Sequence, residues 1–343
     1  MFRKLRSFWS CPRWYHSPRF AASILWRMVS NLPSQWQVFS LLRQSPDIYV
    51  PLLYRCPRFF FKYLKCPFLA THFTIIENAG YFLWHYRKLN QVFTSEYLRR
   101  ILYCHVEVAD WEKEGNRMWV TMGRARSRSR REGIRNADKE GEMRLTLYWD
   151  NAPLYTLAFT VVPGSAVQSV AHEVILIGQL QGLCNAEQSD YGERCDPIHQ
   201  AARLHFGMRL PSLLMAVLQG VGRALDIQEM AGVSISRQAC FIRESAGSFY
   251  AAYDRFFSSI GAVRNEAGFY LSTLEPQEKS EHSALRGSRS RSKKKHALRD
   301  QIAEKTCATL SAHLRARRVA SSPVPDQSSE VVSPSVEEPV SVA

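Results

Sequence analysis

The stretch Val174-Ile-Leu-Ile-Gly-Gln-Leu-Gln-Gly182 contains the strongest structural signal in this sequence. Four consecutive apolar residues, 174–177, predict a strand that is covered on both faces. Gly178 and Gly182 allow the backbone to turn sharply and to lie close to a neighbour or a ligand, while Gln179 and Gln181 add amide donors and acceptors. The pattern therefore predicts a buried strand that ends in a glycine-bounded polar turn, and strand ends of this kind often hold sites.

The sequence before this strand changes its period near Ile101. Residues 1 to about 100 have the pattern of helices that are interrupted by prolines, and their many aromatic side chains are expected to form a cap over a later sheet. From Ile101 to Val162, alternating and β-branched runs predict antiparallel strands. An arginine run lies between two of these strands and is expected to be an exposed hairpin tip; it contains Arg124, Arg126, Arg128, Arg130 and Arg131.

Helices and strands alternate after residue 182. Apolar stripes predict helices at about 211–225 and 249–260, and β-branched runs predict strands at about 230–236 and 268–274. The predicted fold class is α+β, a mostly antiparallel sheet with packed helices behind a helical, aromatic-rich N-terminal region. The expected organisation is a helical region at 1–100, an α+β core at 101–276, a basic segment at 277–320 and a disordered tail at 321–343.

Charge and cysteine content restrict the class of protein. The formal charge is +14 and the isoelectric point is near 9.6, which favours an anionic partner such as a membrane surface, lipopolysaccharide or nucleic acid. The eight cysteines form no Cys-x-x-Cys pair, which fits a reducing cytoplasm. No metal site is predicted, because the spacing of the nearest candidate set matches no common zinc module; that set is Cys184, Cys195, His199 and His205.

No run of the sequence reaches the roughly 18 apolar residues that a membrane-spanning helix needs. The N-terminus is basic and aromatic, with Arg3, Lys4, Trp9 and Trp14 ahead of an apolar run that Arg27 interrupts. This segment is expected to form a helix that either packs on its own domain or lies on a membrane. The predicted location is the cytoplasm, with peripheral attachment to the inner membrane as an open alternative.

Six blocks of sequence together resemble the bacterial VirK/YbjX family, over residues from about Tyr49 to Leu298. The blocks are Ile177-Gly-Gln-Leu-Gln-Gly182, Leu204-His-Phe-Gly-Met-Arg209 leading into Leu213-Leu214, Gly232-Val-Ser234, Tyr253-Asp254, Gly261 and Gly268-Phe-Tyr270. The resemblance implies a cytoplasmic protein linked to virulence, envelope stress and resistance to cationic antimicrobial peptides, with no established reaction.

The order of the predicted elements is also similar to the fold of GNAT-type acyltransferases. In that fold a central strand ends in a turn whose backbone N–H groups bind the pyrophosphate of coenzyme A. The resemblance implies acyl-CoA as a possible cofactor, held by Gln179, Gln181 and Gly182. Cys184 stands where the acyltransferase pattern has a small residue. Tyr253 would be the general acid that protonates a thiolate leaving group, and a core tyrosine is the alternative interpretation.

His205 and Arg209 are four residues apart and could together hold a phosphate or a carboxylate, because arginine offers a planar, bidentate fork. The alternative is that Arg209 pairs with Asp254 or Glu187 and has a structural role. Two function classes therefore stay open: an accessory protein that binds an anionic partner, and an acyltransferase that uses acyl-CoA or an acyl carrier protein.

Overall fold

The computed structural model describes residues 26–27, 29–64, 67–113, 115–126, 137–183, 207–240, 253–275 and 286–316. The predicted disordered tail, 321–343, lies outside these residues, as do residues 127–136 of the arginine connection and residues 249–252 of the helix expected at 249–260.

The N-terminal part of the described chain is helical, as the proline-interrupted pattern predicts. Its elements are α1 (Leu32–Gln44), α2 (Pro46–Arg55), a 3-10 helix (Pro57–Leu64), α3 (Ile75–Val92) and α4 (Ser95–Tyr103). Prolines open α1 and α2, where a missing N–H costs nothing. A capping box begins α3, because the Thr74 hydroxyl accepts from the Glu77 N–H and the Glu77 carboxylate accepts from the Thr74 N–H.

Aromatic rings hold these helices together. Phe59 lies with its ring centroid 4.9 Å from that of Tyr86 and 5.1 Å from that of Phe82, and all three side chains are buried. Offset and edge-to-face pairs of this kind add stabilisation beyond the area that they bury. On α3, His85 Nδ1 accepts a hydrogen bond from the Val161 backbone N–H at 3.0 Å, which joins the helical layer to the sheet. The predicted aromatic cap is therefore confirmed.

One eight-stranded sheet forms the centre of the fold, with strand order β1-β2-β3-β4-β5-β6-β8-β7. The strands are β1 (Val106–Lys113), β2 (Asn116–Arg124), β3 (Met143–Trp149), β4 (Ala152–Pro163), β5 (Glu173–Gly182), β6 (Glu229–Val233), β7 (Val263–Arg264) and β8 (Phe269–Thr273). Every neighbouring pair is antiparallel except β5 and β6, which are parallel. The mostly antiparallel α+β fold is thus confirmed, and 174–177 is the buried interior strand that its apolar run predicts.

The later part of the described chain has four α-helices and two short 3-10 helices. The α-helices are α5 (Ala137–Glu140), α6 (Leu210–Leu225), α7 (Asp254–Ser259) and α8 (Arg286–Ser311), and the 3-10 helices are Gly164–Val167 and Ile235–Arg237. The parallel connection from β5 to β6 needs a crossover, and it contains α6, whose buried stripe includes Leu213, Leu214 and Leu218. Helix α8 packs against α6 so closely that a Cβ at Gly220 would lie 2.4 Å from the Ala303 carbonyl oxygen. The core therefore extends beyond the expected boundary at residue 276 and includes Ile302 and Leu310.

The end of α8 is also tied to the N-terminal helices. Arg315 Nε donates to the Phe93 carbonyl at 2.8 Å, and the Thr94 N–H donates to the His313 carbonyl at 3.0 Å. The His313 ring stacks on Tyr97 with centroids 4.0 Å apart. Earlier in the helix, Lys305 Nζ pairs with Asp110 Oδ1 of β1 at 2.7 Å. The C-terminal end of the described chain is therefore bonded to the N-terminal helices and to β1.

Candidate functional site

The expected turn at Gln179 to Gly182 is wrong, because β5 continues through these residues. Gln179 lies opposite Ala158, Gln181 opposite Thr156 and Gly182 opposite Tyr155 in the ladder with β4. The register shifts at Gly178, which forms a bulge, so this glycine changes the strand locally without ending it. Gln179 is buried, and its Nε2 donates to Gln181 Oε1 at 3.2 Å along the same strand.

Strands β5 and β6 separate beyond Ile177, and side chains occupy the space between them. Their parallel ladder pairs only residues 174–177 with residues 229–232. After that, the Gly178 carbonyl accepts from Gln238 Nε2 at 3.0 Å, and the Leu180 N–H donates to the Tyr253 hydroxyl at 3.4 Å. Tyr253 immediately precedes α7 and is buried. Burial, followed by the nearby Glu140 carboxylate, raises the pKa of Tyr253, so the hydroxyl keeps its proton at neutral pH.

Of the predicted anion-binding pair, His205 and Arg209, the structure describes only Arg209. His205 lies outside the described residues, together with Cys184, Cys195 and His199. Arg209 is exposed at the N-cap of α6. The alternative pairing of Arg209 with Asp254 is wrong, because no ion pair joins these two described residues; Asp254 Oδ1 accepts instead from the Ile235 N–H at 2.8 Å.

A buried ion pair, which the sequence did not reveal, lies between the 3-10 helix and the start of β3. Lys62 Nζ is 2.5 Å from Glu142 Oε2, and the Tyr86 hydroxyl donates to the same oxygen at 2.7 Å. All three side chains are buried. Burial raises the pKa of Glu142, while Lys62, Tyr86 and Arg124 act against that rise by favouring the carboxylate. The aromatic residues around Lys62 predict a core, and no sequence signal marks its charged partner.

Arg124 is expected from the sequence to be exposed with the rest of the arginine run, and this expectation is wrong. It is the last residue of β2, its exposure is only 6%, and its guanidinium carbon lies 5.3 Å from the centre of the Phe59 ring. A stacked arginine of this kind gains from the face of the ring and from the nearby Glu142 carboxylate. Arg124 therefore places its charge inside the protein, beneath the surface where the run begins.

Three exposed arginines surround Tyr103 above this buried one. Arg55 lies over the Tyr103 ring at 5.4 Å, and Arg126 Nη2 donates to the Tyr103 carbonyl at 3.0 Å and to the Leu102 carbonyl at 3.3 Å. Burial raises the pKa of Tyr103, whereas the positive charges of Arg55, Arg124 and Arg99 lower it. We call Arg55, Arg99 and Arg126 the arginine surface; all three side chains are exposed.

Positive charge exceeds negative charge at this surface. The negative charge of Asp47 raises the pKa of Tyr103, and the positive charges of Arg55, Arg99 and the buried Arg124 oppose it. Inward of the surface, His105 Nε2 lies 3.3 Å from Arg144 Nη2. Burial lowers the pKa of His105 to about 4, and Arg144, Arg126 and Arg124 contribute to the lowering, so this imidazole is neutral near pH 7. The Tyr103 ring holds Arg55 at this surface, and the helix-end carbonyls of Leu102 and Tyr103 hold Arg126 there.

The rest of the arginine run, Arg128, Arg130 and Arg131, lies outside the described residues. Arg126 is the one exposed arginine of the run among the residues that the structure describes.

The described residues contain neither a metal-binding cluster nor a membrane-spanning helix. Among them, no group of three His, Cys, Asp or Glu side chains could hold a metal ion. Across the described ranges, no helix is both long and apolar enough to cross a bilayer.

Comparison with known proteins identifies the family. A family model described as a protein of unknown function (DUF535) matches residues 15–308 of the chain. No curated protein matches the chain.

Proposed function

Because the chain belongs to the DUF535 family, of which VirK/YbjX proteins are members, we propose that it is a bacterial accessory protein that binds an anionic, phosphate-bearing partner. The biological setting that we propose is virulence, envelope stress and resistance to antimicrobial peptides, with the protein in the cytoplasm or peripheral at the inner membrane. One observation carries the proposed binding: exposed Arg55, Arg99 and Arg126 gather around Tyr103, where positive charge exceeds negative charge.

The chemistry of this surface suits phosphate groups. Guanidinium groups bind phosphate oxygens through paired N–H donors, and a bound phosphate would relieve the repulsion among the arginines. The Tyr103 hydroxyl donates to the Ile48 carbonyl at 2.8 Å, which fixes the ring on which Arg55 lies. Because the recognition rests on charge, added salt would weaken the binding.

Replacing Arg55 and Arg99 together by serine is expected to weaken binding to inorganic polyphosphate and to lipopolysaccharide by about 10–30-fold at low salt. Each arginine near an anionic surface contributes on the order of 1 kcal/mol, and about 1.4 kcal/mol corresponds to a tenfold change. Fluorescence anisotropy with labelled probes measures the change. Arg126 is kept, because its N–H groups also satisfy the carbonyls at the end of α4.

Arg100→Ser is the matched control, since Arg100 is exposed on the same helix but acts on Tyr97 rather than on Tyr103. The control should bind like the parent protein. Equal binding by the parent and the Arg55→Ser/Arg99→Ser variant would contradict the proposal, as would an equal loss in the control.

An acyltransferase that uses acyl-CoA or an acyl carrier protein is the second candidate function. Two observations favour it. The first is the order of elements from β5 onward, a strand, a helix, a parallel strand, a helix and two antiparallel strands, on which the acyltransferase resemblance rests. The second is the position of the Tyr253 hydroxyl, which lies where β5 and β6 separate. In this candidate Tyr253 is the general acid and Gln179, Gln181 and Gly182 contact the cofactor from β5. Since residues 179–182 form a strand, the pyrophosphate would have to bind elsewhere than at the expected turn.

Tyr253→Phe tests this candidate, because the change removes only a hydroxyl. If Tyr253 is the general acid, turnover with acyl-CoA should fall about 100-fold or more while acyl-CoA binding persists. The Leu180 N–H loses its acceptor in this variant, so the melting temperature must be measured alongside. Failure of the parent protein to bind acyl-CoA at millimolar concentration would exclude a CoA-dependent reaction.

A further inference from the structure

Large apolar side chains before and at the start of α1 are exposed to solvent. Trp26, Val29, Leu32 and Trp36 have exposures of 71%, 53%, 59% and 69%. Leu32 and Trp36 are four residues apart and share one side of α1, while Trp26 and Val29 are three residues apart on the helical stretch before the turn at Asn31. We call these four residues the tryptophan stripe. Monomeric proteins seldom expose a contiguous apolar patch unless it meets a partner.

The opposite side of the same segment is anchored to the domain. Gln35, Val38 and Leu41 are buried against the other helices. Arg27 Nη1 donates to the Leu64 carbonyl at 3.0 Å, and Asn31 Nδ2 donates to the Arg27 carbonyl at 2.8 Å. Leu32 and Trp36 therefore face outward because the opposite side of α1 is buried, and the hydrogen bond of Arg27 fixes the stretch that carries Trp26 and Val29.

The chain around the stripe has an unusual charge composition. Residues 1–46 contain seven basic residues and no aspartate or glutamate; the basic residues are Arg3, Lys4, Arg6, Arg13, Arg19, Arg27 and Arg43. The same segment holds four of the eight tryptophans of the protein. Next to the stripe, the Arg43 guanidinium carbon lies 5.3 Å from the centre of the Trp36 ring.

We propose that the tryptophan stripe docks on the surface of a bilayer that contains anionic phospholipid. Tryptophan favours the boundary between headgroups and acyl chains, and a helix with apolar residues on one face and cations beside them lies in that plane. A segment without carboxylates meets no repulsion from anionic headgroups. A second copy of the chain is a poor occupant, since it would bring its own Arg27 and Arg43 toward the same two arginines. This docking uses residues other than the arginine surface and holds whether or not that surface binds phosphate.

The test compares co-flotation of the full-length protein with two kinds of vesicle, phosphatidylcholine alone and phosphatidylcholine mixed with phosphatidylglycerol. The parent should float with the mixed vesicles and bind the neutral ones more weakly. Trp26→Ser/Trp36→Ser should lower binding to mixed vesicles by at least about tenfold, because two large apolar side chains no longer enter the interface. Its melting temperature should stay unchanged, since both side chains are exposed.

Val263→Ser is the matched control, since Val263 is 72% exposed on β7 at the far edge of the sheet. It should float like the parent. In about 1 M salt, where charges are screened beyond about 3 Å, the parent should keep part of its binding and the stripe variant should keep none.

Three results would overturn the proposal. The first is no flotation of the parent with mixed vesicles. The second is equal flotation of the parent and the stripe variant, with loss only in Arg55→Ser/Arg99→Ser, which would assign membrane binding to the arginine surface alone. The third is a lower melting temperature or a changed oligomeric mass in the stripe variant with unchanged flotation. That result would show that residues 1–25 or a second copy cover the stripe.

Discussion

Lys62→Met is expected to lower the free energy of unfolding by about 3–5 kcal/mol, because it leaves the Glu142 carboxylate buried without the cation that contacts it. Urea denaturation measures the loss. The loss should shrink as the pH falls. Burial already raises the pKa of Glu142, and without Lys62 the carboxyl takes up a proton more readily in the folded state than in the unfolded chain. A folded pKa above the unfolded value adds stability as the pH falls through it.

The double variant Lys62→Met/Glu142→Gln separates the charge from the packing. The glutamine introduced at position 142 would be neutral and could still accept from the Tyr86 hydroxyl, so most of the lost stability should return. If the double variant were no more stable than Lys62→Met, the cost would come from the lost packing of the lysine stem, which also lies near the rings of Phe59 and Phe68, and the ion-pair explanation would be wrong.

Gly178→Ala is expected to cost more than about 4 kcal/mol or to prevent folding. A Cβ at this position would lie 1.9 Å from the Glu140 carbonyl oxygen, a distance that no real contact allows. The neighbouring atoms are backbone, so the clash cannot be relieved by turning a side chain, and α5 would have to move away from β5. The yield of folded protein and its melting temperature measure the effect.

Gly80→Ala is the control for Gly178→Ala, because it adds the same methyl group at a glycine that has free space around it. Gly80 lies within α3, and a Cβ there would meet nothing within 4 Å. Alanine should therefore raise the stability by about 0.5–1 kcal/mol, because it lowers the entropy of the unfolded chain and suits a helix. Similar tolerance of both substitutions would contradict the close approach of α5 to β5.

Local patterns predicted the elements of the fold well. The apolar run 174–177 predicted the interior strand, and the stripe near 211–225 predicted α6 almost to its ends, because burial imposes a regular spacing on each. The end of β5 could not be predicted in this way. The glycines at 178 and 182 are typical of a turn. The strand continues nevertheless, because residues 179–182 pair with residues 155–158 of β4, which lie earlier in the chain.

The residues of the candidate sites were harder to predict for a related reason. Arg124 belongs to the same arginine run as the exposed Arg126, yet the end of β2 directs it onto Phe59. No pattern in the sequence marks Arg55 and Arg99, and they belong to the proposed site only because α2 and α4 bring their charges to Tyr103. Charge counts predict an anionic partner, but only the tertiary structure determines which charges are exposed.

The contact between Arg315 and Phe93 can form only late in the synthesis of the chain. These residues are 222 positions apart, and Thr94 and His313 are bonded across the same junction. At about 5–20 residues per second, a ribosome needs on the order of 10–45 s to add the residues between them. Ala303, which covers Gly220 of α6, is added 83 residues after it, so this face of α6 lacks its covering helix for on the order of 4–17 s. The nascent chain therefore exposes apolar surface on α6 until α8 has been made.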